Sequence, residues 1–128
     1  MKLLLNIPDE YITDVLIAAL EGGSNYWYNL PDITQARLNF PDKKMATSEK
    51  VIRSAMEMRD KIAVYDIEGD SDDAPLGYIS RVNIYRGLKL WFERTKSMYH
   101  ALIFDSGMDA GEADAFFQLV VIGEIVYG

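Results

Sequence analysis

The sequence predicts an α+β fold, a small antiparallel sheet packed against three or four helices, in one domain spanning residues 1–128. Three observations carry this. Apolar residues recur at three- and four-residue steps in separate stretches of the chain, the helical period. Two short runs rich in β-branched and aromatic residues, KIAVYDIE at 61–68 and LGYI at 76–79, flank Gly69-Asp70-Ser71-Asp72-Asp73, which is strong turn chemistry. A length of 128 residues suits one core, and a 49% hydrophobic share is ordinary for a globular chain.

The first helix is expected over about residues 8–21. Pro8 suits the first turn, Asp9 and Glu10 favour the positive end of the helix dipole, and Gly22-Gly23 ends the apolar pattern of Ile12, Val15, Leu16, Ala19 and Leu20. Tyr26, Trp27 and Tyr28 follow as a short strand closed by Leu30-Pro31-Asp32. In alternation, Trp27 faces opposite to its two neighbours, so at least one side presents aromatic area that something must cover. Residues 31–46 hold two of the four prolines and little periodicity, which predicts a surface connection anchored by Ile33, Leu38 and Phe40. Thr47 or Ser48 then caps a second helix, with an apolar stripe of Val51, Ile52, Ala55 and Met56 and an end near Lys61.

After the 61–79 hairpin, Ser80 is a suitable N-cap for a third helix with Ile84, Tyr85, Leu88, Trp91 and Phe92 on its buried side. Gly87 weakens that helix by about 1 kcal/mol relative to alanine, so a close backbone approach is expected there. Residues 98–104 read as extended or loop, and Asp105-Ser106-Gly107 as a turn. Asp109 and Glu112 have the spacing of a reciprocal capping box for the last helix. Ala113, Phe116, Phe117, Val120 and Val121 give that helix one apolar face, and Gly123 offers its stop. Ile125 and Tyr127 continue in alternation and are expected to add to the sheet.

Composition narrows the chemistry. The absence of cysteine excludes disulfides, thiolate zinc sites and cysteine nucleophiles. His100 is the sole histidine, and neither Ser97, Ser106 nor Asp105 near it sits in a recognisable nucleophile turn. An ordinary histidine explains it. Asp66 to Asp73 places carboxylates as a calcium loop does, but the sixth and twelfth positions counted from Asp66 are Ser71 and Gly77 rather than glycine and glutamate. A solvated acidic hairpin tip fits better. Asp105, Asp109, Glu112 and Asp114 are close enough in sequence to suggest a divalent ion, although Asp109 and Glu112 already have capping work. Gly22-Gly23 lacks either phosphate-loop pattern. No metal, cofactor or catalytic constellation is therefore assigned, and the chain is read as a non-enzyme.

Thirteen Lys and Arg against twenty Asp and Glu give a net charge of −7, a field that repels nucleic-acid phosphates and anionic membranes. Arg81, Arg86, Lys89, Arg94 and Lys96 are the candidates for a local basic patch, with a solvated helix face as the plainer reading. The apolar run Leu3–Leu5 is too short for a signal-peptide core, and no stretch reaches the roughly 20 apolar residues of a membrane span. A cytoplasmic protein is expected.

ALEGGSNYWYNL at 19–30, YRGLKLWFE at 85–93 and DAGEADAFFQLVVIGEIVYG at 109–128, in this order and spacing, resemble a family of small acidic proteins of tailed bacteriophages and prophages. The resemblance implies action inside an infected bacterium. It carries no reaction, cofactor or site residue.

Charge and resemblance together suggest a non-catalytic accessory protein that binds a host or phage protein, such as a nucleic-acid-binding or defence factor, because an acidic surface can imitate phosphates or complement a basic groove. Tyr26, Trp27, Tyr28, Asp70, Asp72, Asp73 and Trp91 are the candidate surface for such a partner, for a second copy of the chain or for a ligand. The alternative is a protein that sequesters a nucleotide-like ligand, stacking it on these aromatic side chains beside the basic residues of the third helix.

Overall fold

The fold was analysed in a computed structural model, which describes residues 7–69, 72–94 and 109–128. The expectations for Leu3–Leu5, Asp70, Ser71, Lys96, Ser97, residues 98–104, His100 and Asp105-Ser106-Gly107 lie outside the described residues. The elements run α1 (Asp9–Ala18), a π-helical turn (Ala19–Gly23), β1 (Tyr28–Asn29), α2 (Thr34–Asn39), α3 (Thr47–Glu57), β2 (Ile62–Asp66), β3 (Gly77–Ile79), α4 (Arg81–Arg94) and α5 (Ala110–Val121). The architecture is α+β, as the hydrophobic periods predict.

The sheet is antiparallel in the order β1-β2-β3. Tyr28 and Asn29 pair with Asp66 and Tyr65, and Ile62, Ala63 and Val64 pair with Ile79, Tyr78 and Gly77. This register turns Ile62, Val64 and Ile79 into the core. The expected hairpin is thus present, with the Leu76 amide donating to the Val64 carbonyl at 2.8 Å where the two strands converge. The aromatic strand is shorter than expected, because Tyr26 and Trp27 belong to the turn that precedes it.

α5 is the centre of the molecule, packing on α4, α1, the π-turn and β3. The expected capping box is formed: the Glu112 amide donates to Asp109 Oδ1 at 2.7 Å, and the Asp109 amide donates to Glu112 Oε1 at 3.3 Å. Gly123 ends the helix at a φ of 91°. The single apolar face is a correction, because α5 is buried nearly all round and takes Asp114 and Gln118 inside with the phenylalanines. Nor do Ile125 and Tyr127 add a strand; the tail is irregular and is held by Gln118 instead.

Further departures have local causes. Within 31–46, Thr34–Asn39 forms α2, which buries Ala36 while the expected anchor Leu38 is 69% exposed. Neither Thr47 nor Ser48 caps α3; Ala46 occupies the N-cap and the Ser48 hydroxyl donates to Glu21. α3 also stops at Glu57, because Arg59 takes a left-handed φ of 58° and the Asp60 carboxylate turns back onto Ser54 and Asn39. On α4, Ser80 accepts from the Asn83 amide as a cap should, but Tyr85 is 40% exposed and Phe92 only partly buried, leaving Ile84, Leu88 and Trp91 as the inward stripe.

The predicted approach at Gly87 is present. A Cβ there would lie 2.6 Å from Val120 Cγ2 and 2.9 Å from the Val120 backbone, so α4 and α5 touch where the side chain is missing. Gly87→Ala should therefore lose about 1–3 kcal/mol in chemical denaturation, the strain outweighing the gain of about 1 kcal/mol in helix propensity. Gly22→Ala, where nothing lies within 4 Å of the added carbon, is the control and should be neutral or slightly stabilising.

Candidate functional site

The site with the most organised chemistry lies where the turn at residues 24–27 meets α5. Asp114 is 8% exposed, and its carboxylate accepts three side-chain hydrogen bonds. Ser24 Oγ and Trp27 Nε1 donate to Oδ1 at 2.8 and 2.7 Å, and the Tyr26 hydroxyl donates to Oδ2 at 2.6 Å. Hydrogen bonds to a charged acceptor are stronger than neutral ones, and burial removes competing water, so this group fixes the turn on the helix.

The π-turn makes the meeting geometrically feasible. Its wide last turn, closed by the Ser24 amide donating to the Ala19 carbonyl at 2.8 Å, delivers Ser24 to α5, and Gly23 lies so close to the Ala110 backbone that a Cβ would collide with it. Trp27 then sits in the core at 2% exposure. Its indole lies edge-on to Tyr28 and against Phe117, and the Tyr127 ring stacks on it at 5.1 Å and 10°. One helical turn beyond Asp114, Gln118 Oε1 accepts from the Val126 and Tyr127 amides at 2.8 Å each, while Nε2 donates to the Tyr127 carbonyl at 3.1 Å.

An open groove of about 630 Å³ runs along this junction, walled by Tyr26 and Tyr127 over Gly111 and Ala115, with Asp114 and Gln118 at its base. The Tyr26 ring is 47% exposed while its hydroxyl turns inward to Asp114. Desolvation, together with the hydrogen bond to Asp114 and the charge of that carboxylate, pushes the Tyr26 phenol up to about 12; the nearby Gln118 amide opposes this weakly. Tyr28 is also raised, by burial first and then by the charge of Glu21, and its hydroxyl donates to the Leu20 carbonyl.

The structure divides the sequence-predicted surface. Tyr26 is on the groove wall, and Asp72 and Asp73 are exposed in the hairpin loop. Trp27 and Trp91 are core residues at 2% and 1% exposure, so neither is a surface platform, and Tyr28 is partly covered within β1. Trp91 packs edge-on against Phe116, and its buried Nε1 has no hydrogen-bond partner among the described residues. The proposed basic face of the third helix is dispersed: Arg81 donates to the Met56 carbonyl and Arg86 to the Val120 carbonyl, leaving Lys89 and Arg94 exposed. A smaller cleft of about 330 Å³ joins Arg59, Ser80, Arg81, Val82 and Tyr85.

Asp114, in sequence a metal-ligand candidate, is a hydrogen-bond hub, and among the described residues no three acidic or histidine side chains are arranged to hold a metal. Gln118 belongs to no motif in the sequence. The signal for both was present, since Asp114 and Gln118 are four apart in an otherwise apolar helix and so share one face. Among the described residues no helix is long and apolar enough to cross a membrane. Comparison with protein-family models, curated proteins and solved structures finds no match to this chain.

The tyrosines make an alkaline signature. A phenol whose folded pKa is raised contributes stability that is complete below its unfolded value of 10.0 and is lost as pH rises through the folded value. Urea denaturation should show stability falling between pH 10 and about 12, with a shallower fall in Tyr26→Phe. Parallel pH curves for parent and variant would show that Tyr26 carries none of it.

Proposed function

We propose that this chain is a non-catalytic accessory protein of a phage or prophage that docks on a basic protein surface in the host cell, one that otherwise receives nucleic acid. The observation that carries this reading is an exposed carboxylate stripe. Glu10, Asp14 and Glu21 follow one another at helical spacing along α1 and the π-turn, all exposed. Glu49 and Glu57 continue the acidic surface on the adjoining α3. Arg53 bridges Glu10, Glu49 and Glu57 at 2.7–3.3 Å, and with Lys50 on α3 it sets two cations against five carboxylates. The hydrogen bond from Arg53 to Glu49 raises the arginine pKa against the effect of burial, and the charges of Glu10, Glu49 and Glu57 add to it, so that cation stays charged.

Surface ion pairs contribute about 0–1 kcal/mol each to stability, so the stripe, with Arg53 and Glu49 partly exposed, adds little to folding. Its field suits recognition instead: an acidic surface accelerates association with a basic partner and rejects acidic ones. The resemblance to phage proteins in residues 19–30, 85–93 and 109–128 supplies the biological setting. A small-ligand reading draws on a different place, the cleft of Arg59, Arg81 and Tyr85, whose guanidiniums suit an anion.

Affinity capture from bacterial lysate separates the two. The parent chain should retain a stoichiometric basic protein at low salt, lose it progressively as salt rises, and lose it altogether with Glu10→Lys, Asp14→Lys and Glu21→Lys combined. Retention of the same protein by the triple variant, or no partner at any salt, would overturn the reading. A stoichiometric anion released on denaturation and identified by mass spectrometry would favour the ligand.

A further inference from the structure

We propose that the groove beside Asp114 is the anchoring site for an arginine side chain of the protein partner, an inference that rests on the reading of the chain as a binder of basic proteins. Charge complementarity identifies the occupant. Among the described residues, Asp114 is the acidic side chain at the groove and no lysine or arginine lines it, in a chain of net charge −7. The positive end of the α5 dipole is offset by Asp109 and Glu112 in the capping box, so the groove favours a cation.

Acceptor capacity remains at the floor. A carboxylate offers about four acceptor positions, and Asp114 uses two on Oδ1 and one on Oδ2. An incoming guanidinium can donate to Oδ2 without displacing Ser24 or Trp27. Its flat face can lie on the Tyr26 ring, which is 47% exposed and so available for a cation–π contact. The methylene stem fits the apolar part of the groove, Ala115 and Ile125. A lysine ammonium has the charge but lacks the flat face that can stack on Tyr26, so arginine is the better match.

The test uses capped tripeptides, Gly-Arg-Gly against Gly-Lys-Gly and Gly-citrulline-Gly, titrated into the intact protein. The readout is the indole N–H resonance of Trp27, whose Nε1 is bonded to Asp114, with the Trp91 indole as the internal reference. The arginine peptide should shift the Trp27 signal saturably, the lysine peptide at least about fivefold more weakly, and the uncharged citrulline peptide not at all. Gly111→Leu should block the groove and abolish the response; an added Cβ there meets only Asp109 Oδ1 at 3.5 Å, and leucine is a better helix former than glycine, so the fold is kept.

An equal response to citrulline, a response that survives Gly111→Leu, or a shift confined to Trp91 would overturn the anchor. The two readings fail separately. The triple charge-reversal variant should keep the tripeptide response even though it loses the partner, so absence of a lysate partner refutes the docking function and leaves the arginine site standing. Conversely, capture of a basic partner equally well by Gly111→Leu refutes the anchor alone.

Discussion

A carboxylate carried into the interior by a central helix must find donors there, and in this protein most of the site geometry follows from how Asp114 finds them. Ser24, Tyr26 and Trp27, all within four residues of one another in sequence, converge on its two oxygens. That convergence requires the chain to leave α1 through a wide π-turn and to pass the start of α5 at Gly23 without a side chain. Once the indole of Trp27 is fixed, it provides the face on which Tyr127 stacks, and Gln118 fastens the same tail through its backbone. Turn, central helix and tail are thus held by two polar side chains on one face of α5, both hydrogen-bonded in an apolar setting.

The features legible in the sequence are those decided within a few residues. The Asp109–Glu112 capping box, the hairpin flanking an acidic tip and the cap at Ser80 depend on local spacing, and each is found where the spacing puts it. Gly87 was legible for another reason: a glycine inside a helical pattern has a cost that implies close packing, and Val120 supplies it. The misread features depend on what covers a surface. Asp114 and Gln118 look like the wet side of α5 until the turn and tail close over them, whereas Tyr85 completes an apolar stripe in sequence yet lies beyond the edge of its neighbours. The left-handed Arg59 ends α3 early without any glycine or proline to announce it.

The same division separates stability from recognition. The hub at Asp114 is buried, saturated on one oxygen and bound to the core through Trp27. The carboxylates of α1 and α3 are exposed and joined by a single arginine, so they can change with little effect on folding. The groove lies at the boundary between these regimes. Asp114 and Gln118 in its lining are buried and fixed by the fold, while Tyr26 is half exposed. A partly charged recess whose lining is held by hydrogen bonds is suited to an ordered basic anchor, because little conformational freedom is lost when it is filled.

The central claim, that the Asp114 carboxylate holds the turn on the helix, is tested most directly by Asp114→Asn. The substitution keeps the shape but removes the charge and turns an amide donor toward groups that themselves donate. Denaturant unfolding should show a loss of about 2–4 kcal/mol, against a change within about 0.5 kcal/mol for the exposed control Asp32→Asn. The Trp27 indole proton should also exchange faster in the Asp114 variant, since its acceptor has been weakened. Unchanged stability together with an unchanged Trp27 indole would contradict the account, because the turn would then be held by packing alone.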